Sequence, residues 1–272
     1  MNPEILIFGK GFIGKRLQEA LGCAISDKKI YRLADAEREL KRFQPKIIIN
    51  CVGHIGRNVD DCELDKDLTL SANVFAPIIL AEAALRHDKR LVHISSGCIF
   101  DYDYAANAPI TENSEPNFFE LFYSRSKIYA EKAIAALCQK YPVLIVRIRV
   151  PLDNRPDPRN LLDKLISYKL AIGLPNSVTY IPDFIEGLKH LLKIKASGIY
   201  NLACRGALYY PDLLEIYKKY VPSFQYQTVK FNKLKLTRTN LILSTKKLED
   251  SGFRVRKIDD VLEECVKGYL GK

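Results

Sequence analysis

The sequence has no paired cysteines. Its seven cysteines are an odd number, and no two stand in a Cys-x-x-Cys pair. That argues against a disulfide framework or a zinc site and fits a reducing compartment, the cytoplasm. No unbroken apolar run approaches the ~20 residues a membrane helix needs. Asn2-Pro3-Glu4 leads directly into an apolar stretch, without the charged, apolar, then small-residue order of a signal peptide. No membrane association is expected. Internal repeats and low-complexity segments are also missing. The net charge is +10 and the pI about 9.1. However, the basic residues are scattered, the longest run is two, and no basic stripe interleaved with aromatics appears. Nucleic acid is therefore not expected as a partner. A basic surface draws anionic small molecules, or serves solubility alone.

What is present is an alternation of two periods. Apolar, β-rich runs lie at Glu4–Phe8, 46–52, 90–95 and 142–150. Helical spacing follows the first run to Leu21 and recurs at 71–87 and 123–137. Strands that are apolar on both faces and alternate with helices predict an α/β fold, a Rossmann-type doubly wound parallel sheet. After Pro151 the texture changes. Three prolines fall in 151–160, which reads as a loop leaving the sheet. Helical stretches follow at 159–170, 183–194 and 211–220, β-like ones at 177–180 and 198–203, and short helices with turns over 244–270. The reading is a dinucleotide-binding domain over 1–150, with segments of 177–203 returning to it, and a small C-terminal substrate-binding lobe over 151–272.

The first apolar run ends in Gly9-Lys10-Gly11-Phe12-Ile13-Gly14, and a helical pattern follows. Gly-x-Gly-x-x-Gly is weak by itself but informative between a strand and a helix. Gly9 permits a tight turn, Gly11 lets backbone approach a pyrophosphate, and Gly14 lets helix pack on strand. The alternative is a tight turn without a ligand. The acidic residue expected ~20 positions on is ambiguous. Asp27 would favour the ribose hydroxyls of NADH, and the adjacent Lys28 and Lys29 the 2′-phosphate of NADPH. The reading leans to NADP(H), with NAD(H) open. Asp35 is either an adenine contact or an exposed loop carboxylate.

Tyr123-Ser124-Arg125-Ser126-Lys127 is Tyr-x-x-x-Lys, and residues i and i+4 share a helix face. An ammonium beside the phenol draws its pKa from ~10 towards working pH. The phenol then gives its proton to a ketone oxygen as hydride reaches the carbon. Ser96, at the end of the 90–95 run, can hydrogen-bond the same oxygen. Tyr-x-x-x-Lys is common on helix surfaces; the glycine turn and the Ser95-Ser96 pair give it weight. His93 alternates into a buried strand and reads as a satisfied core histidine, and His54 points to nothing specific. Arg57, Arg149 and Arg159 are candidates for substrate phosphates or for surface ion pairs. Phe118, Phe119 and Phe122 either line a sugar site or pack the loop before the helix.

The glycine turn, Tyr-x-x-x-Lys and Asn50-Cys51-Val52-Gly53 together resemble the extended short-chain dehydrogenase/reductases. Further blocks resemble the bifunctional 3,5-epimerase/4-reductases that make UDP-L-rhamnose from UDP-4-keto-6-deoxyglucose. These blocks are Gly56–Glu63, Gly97–Asp103, Glu115-Pro116-Asn117-Phe118, Phe122–Lys127, Arg147–Pro151, Pro158-Arg159-Asn160 and Pro175-Asn176-Ser177. The resemblance runs from residue 5 to about 265, while dTDP-4-dehydrorhamnose reductases share only the general frame. It implies that Ser96 is the catalytic hydroxyl and that Cys98 and Lys164 form an epimerase acid/base pair. It also implies that Cys51, Val52, Gly53, Asn73 and Pro151 face the cofactor. Asn117, Asn160 and Asn176 join the arginines as substrate contacts. A homodimer is a further implication. Two departures stand out: the glycine loop is one residue shorter than the family's common Gly-x-x-Gly-x-x-Gly, and Asp61 replaces a usual aromatic. They bear on cofactor preference and substrate fit rather than on reaction class.

Chemistry supports the pairing. Protons at C3 and C5 are acidified by the C4 ketone, so inversion needs a base on one face and an acid on the other. Without the resemblance, Cys98 would read as a buried apolar thiol and Lys164 as a solvated helix lysine. The rivals are a 4-reductase or 4-epimerase acting on another nucleotide sugar, and a non-catalytic, nucleotide-binding regulatory subunit. The intact Ser96, Tyr123 and Lys127 speak against the second.

Overall fold

The computed structural model describes residues 2–234 and 237–272. The chain forms two compact units. The first comprises Met1–Ile99, Pro116–Arg147 and Leu191–Tyr200; the second comprises Phe100–Glu115, Ile148–His190 and Asn201–Lys272.

The first unit opens with β1 (Asn2–Phe8), α1 (Phe12–Leu21), β2 (Cys23–Ser26), α2 (Leu33–Phe43) and β3 (Ile47–Asn50). A helical run follows, made of α3 (Asp61–Leu64), α4 (Lys66–Leu70), a π-helical turn (Ser71–Phe75) and α5 (Ala76–Arg86). Then come β4 (Arg90–Ser96), α6 (Phe122–Ala135) and β5 (Val143–Ile148). β1 runs parallel to β2 and β3, and β3 parallel to β4. The apolar runs become strands because both faces are covered: Leu6, Phe8, Ile48, Leu91 and Ile145 are buried together with Leu40, Leu80, Ala84 and Ile134 of the helices.

Lys66–Arg86 is long and apolar enough, by length and composition, to cross a membrane. The sequence reading finds no such span because Glu82 interrupts the apolar run. Half of the stretch is buried. Its alanines and leucines pack α5 against α2, α6, β3 and β4.

The second unit begins with β6 (Pro151–Leu152), α7 (Leu161–Tyr168), β7 (Leu170–Ile172), β8 (Thr179–Tyr180) and α8 (Ile181–Lys193). β9 (Gly198–Leu202) joins the large sheet, whose order is β2-β1-β3-β4-β5-β9. α9 (Tyr210–Tyr220), β10 (Gln227–Val229), α10 (Lys246–Asp250) and α11 (Asp259–Tyr269) complete the chain. Of the segment 177–203, then, only β9 pairs with the large sheet. β8 pairs with β6, which replaces the loop expected after Pro151, and β7 pairs with β10. The core of this unit gathers Leu162, Leu165, Tyr180, Leu213, Leu214, Val261 and Cys265. Just before β6, Val150 takes φ +31°, a strained conformation for a β-branched residue.

Candidate active site

The chain leaves β1 to one side for β2 and crosses to the other side for β3. That reversal is the switch point at which open α/β sheets bind ligands, beyond the carboxyl ends of the strands. The glycine turn and Cys51-Val52-Gly53 meet there. Gly9 has φ +100°, and a Cβ on it would lie 2.7 Å from the Cys51 carbonyl and the Val52 nitrogen. A Cβ on Gly14 would overlap the Gly9 carbonyl oxygen. Gly11 is different, with nothing within 4 Å of its Cβ position. It is the exposed N-cap of α1, and no side chain caps that helix. The first amides of α1 thus carry no side-chain cap, which leaves them available to an anion at the helix N-terminus. Lys10 is exposed, and Phe12 and Ile13 are half-buried. The turn fits the pyrophosphate of a dinucleotide.

β2 ends at Ser26, whose hydroxyl donates to the buried Glu39 carboxylate of α2 at 2.6 Å. Asp27, Lys28 and Lys29 follow it, exposed. Asp35 is no loop carboxylate. It lies in the first turn of α2 and accepts from the backbone N–H groups of Tyr31 and Arg32, at 3.2 and 3.0 Å.

α6 carries Tyr123 and Lys127. The Glu63 carboxylate of α3 accepts from the Phe122 N–H at 2.6 Å, placing negative charge at the helix N-terminus next to Tyr123. Nothing in the sequence singles out Glu63 for this work. One residue past Tyr123, the Ser124 hydroxyl donates to the Cys98 carbonyl at 2.6 Å. The Cys98 N–H in turn donates to Ser96 Oγ at 3.1 Å. These bonds dock the end of β4 onto the start of α6. One helical turn on, the Lys127 ammonium donates to the Ile94 carbonyl of β4 at 3.2 Å. Ser96 and Lys127 are buried, while Tyr123 and Cys98 are half-buried. Burial pulls Lys127 down to about 8, opposed by the Glu131 carboxylate and by the Cys51 and Cys98 thiols. Burial also pushes the Cys51 thiol up to about 12.

Asn73 sits in the π-helical turn, a local form that recurs at functional sites. Its Oδ1 accepts from the His54 N–H at 2.6 Å, and its Nδ2 donates to the His54 carbonyl at 2.9 Å and to Ser126 Oγ at 3.1 Å. One side chain thus ties the loop after β3 to α6. His93 is only half satisfied. Nδ1 accepts from Asn50 at 3.0 Å, but Nε2 is buried without a hydrogen-bond partner among the described residues. Burial and the Lys127 charge hold it well below its ordinary pKa, hence neutral.

The remaining candidates are distributed over both units. Arg57 and Asn117 belong to the first unit and are exposed, with Asp61 accepting from the Arg57 N–H at 2.7 Å. Pro151, Arg149, Arg159, Asn160, Lys164 and Asn176 belong to the second unit. Asn160 caps α7: its Oδ1 accepts from Leu162 at 3.2 Å and its Nδ2 donates to the Asp153 and Arg155 carbonyls. Arg149 and Asn176 are fully buried and bonded to each other at 3.1 Å. Asn176 Nδ2 also donates to the Tyr210 hydroxyl at 2.8 Å. Arg159 is exposed, Lys164 is half-buried on α7, and Pro151 opens β6. Of the aromatics, Phe118 is buried, Phe122 half-buried and Phe119 exposed.

A parallel sheet with a glycine turn after its first strand and a Tyr-x-x-x-Lys helix after its fourth is the arrangement of the extended short-chain dehydrogenase/reductases, and this chain is of that class. Within it, the chain belongs to the family described as the RmlD substrate binding domain, whose model matches residues 4–169. It is 31% identical over 240 residues to a bifunctional dTDP-4-dehydrorhamnose 3,5-epimerase/dTDP-4-dehydrorhamnose reductase of Arabidopsis thaliana, covering 82% of this chain and 78% of that protein. A trifunctional UDP-glucose 4,6-dehydratase/UDP-4-keto-6-deoxy-D-glucose 3,5-epimerase/UDP-4-keto-L-rhamnose-reductase of the same plant is 28% identical over 236 residues. That match takes in 82% of this chain but only 35% of the trifunctional protein, so the chain spans about a third of that relative. Among solved structures, the L780 UDP-rhamnose synthase of Acanthamoeba polyphaga mimivirus superposes with a TM-score of 0.90 at 25% identity, over 97% of this chain and 98% of that one.

Proposed function

We propose that this protein reduces the C4 ketone of a nucleotide-linked 4-keto-6-deoxyhexose with NADP(H) or NAD(H), and epimerises C3 and C5 of the same sugar. The product would be UDP- or dTDP-L-rhamnose. The observation that carries the reading is the α6 face, where the buried Lys127 lies one helical turn from Tyr123 and is bonded to β4 two residues before Ser96. The names of the relatives, rhamnose-pathway epimerase/reductases and a rhamnose synthase, point to the same sugar chemistry.

In this reading the amides at the start of α1 hold the pyrophosphate, Gly9 and Gly14 keep the turn tight, and Asn73 fixes the loop beside it. The nicotinamide supplies hydride to C4. Tyr123 gives its proton to the C4 oxygen, and Lys127 lowers the cost of losing it. Ser96 donates a hydrogen bond to that oxygen and stabilises an enolate there during epimerisation. Cys98 and, by the resemblance alone, Lys164 are assigned the C3 and C5 protons. The exposed Lys28 and Lys29 favour NADP(H) through its 2′-phosphate. Seven free thiols support a reducing compartment, cytoplasmic in our reading, and a homodimer completes it.

The test mixes the protein with NADPH and UDP-4-keto-6-deoxyglucose and follows loss of the reduced-cofactor absorbance and the product sugar. The reading expects an L-rhamnose nucleotide. No cofactor oxidation with any nucleotide keto-sugar would overturn it. Replacing Cys98 with Ala should block inversion more than cofactor binding, and unchanged product stereochemistry would remove the thiol's role.

A further inference from the structure

Behind the α6 face lies a charged cluster that the chemistry above does not use. Glu131 follows Lys127 by four residues and shares its side of the helix. Its carboxylate accepts from the Ser95 hydroxyl at 2.5 Å and from Arg147 Nε and Nη2 at 3.0 and 2.6 Å. Ser95 adjoins Ser96 on β4, and Arg147 lies on β5. Ser95, Glu131 and Arg147 are each at most 2% exposed. A buried ion pair is a poor device for stability, because well-packed apolar residues of similar volume often serve as well or better. This pair stands where β4, β5 and α6 meet, beside the buried Lys127.

We propose that the Ser95–Glu131–Arg147 cluster is a positioning device for the reaction: Arg147 and Ser95 fix the Glu131 carboxylate, and that carboxylate keeps the Lys127 ammonium charged and in place. The proposal rests on the function assigned to α6. The titratable groups whose charge acts on Lys127, or on which its charge acts, are Glu131 of α6, Cys51 after β3, Cys98 after β4 and His93 of β4. His93 is neutral, and burial pushes the Cys51 thiol up to about 12, which keeps it neutral. Glu131 is therefore the anion that offsets the cost of burying the ammonium. Arg147 is bonded to Glu131 at 3.0 and 2.6 Å and acts through it.

The experiment reads Lys127 without substrate or cofactor. Protein carrying ¹³C at the lysine ε-carbons is titrated by NMR, and the Lys127 signal is assigned by its loss in Lys127→Met. The wild-type midpoint is expected at about 8. In Glu131→Gln it should fall by about 1 to 3 units, the size of a lost opposite charge. Glu131→Asp, which keeps the charge, should restore most of the difference. Where Glu131→Gln fails to fold because Arg147 is left unpaired, the double variant Glu131→Gln/Arg147→Met removes that charge too and should show the same fall. An unmoved midpoint in the folded variant overturns the proposal, whatever happens to activity. A midpoint that moves in a protein that turns over no keto-sugar leaves the cluster standing and removes the function. In an active protein, the alkaline limb of kcat should move with the midpoint.

Discussion

Arg147 and Arg149 stand two residues apart, and both side chains are almost wholly buried. They are held in different ways. Arg147, in the first unit, meets a carboxylate through two hydrogen bonds. Arg149, in the second, donates to Asn176 Oδ1 at 3.1 Å, to the Thr239 hydroxyl at 3.0 Å and to the Thr239 carbonyl, all uncharged. Guanidinium does not shed its proton in a protein, so each charge has to be met by its surroundings. In the first unit a counter-charge meets it and bears on a titrating lysine. In the second, dipoles meet it, and the bonds fix where strand and loop segments lie. Buried charge thus does electrostatic work in one unit and architectural work in the other.

The sharpest way to break that comparison is at the reacting group. Tyr123→Phe should lower reduction by about 10²- to 10⁴-fold, the usual contribution of a positioned general acid. The fold should survive, as circular dichroism would check. Next comes the pair itself. Arg147→Met strands the Glu131 carboxylate and should cost about 3–5 kcal/mol in urea unfolding. Arg149→Met should cost less, about 1–3 kcal/mol, because Asn176 and Thr239, the partners described for it, carry no charge. If the two costs are equal or reversed, the comparison fails.

The third test is pH. Lys127, drawn down to about 8, is charged below that value and neutral above it. The rate of reduction should therefore decline as pH rises through about 8, and Arg149→Met should leave that limb where it is. The smallest effect is expected at the glycine turn. Gly11→Ala meets nothing within 4 Å. It should fold normally yet bind NADPH about tenfold more weakly, ~1.4 kcal/mol, in a fluorescence titration. Gly14→Ala, which collides with the Gly9 carbonyl, should instead lose stability.

The apolar strands and the helices at 12–21 and 123–137 were legible because each is a run with one clear period. β2 and α2 were not. Cys23–Ser26 is only four residues long and follows α1 across the single residue Gly22. α2 buries just Ala36, Glu39 and Leu40, so its apolar stripe is too thin to read through six charged residues. The glycine turn and the Tyr123–Lys127 spacing could be found because their chemistry is local. Glu63, Glu131 and Ser95 could not, since each matters through a partner distant in sequence. In the second unit, Asn160, a candidate substrate contact, caps a helix, and Arg149, a candidate for substrate phosphates or for surface ion pairs, is enclosed by its own chain. Polar identity in a sequence does not say whether the partner is a ligand or the backbone.

The π-helical turn at Ser71–Phe75 has a consequence for how this fold tolerates change. An α-helix advances one residue per 100°, so a π-turn holds one more residue than the α-turn that would replace it. Deleting a single residue between 71 and 75 would close it to an α-turn and leave the two halves of Lys66–Arg86 in nearly the same rotational register. The alanine face of α5 would stay on the sheet, and the change would fall on the local placement of Asn73 against the His54 loop. The extra residue is thus a local device: the packing of α5 can do without it, and the bonds of Asn73 cannot.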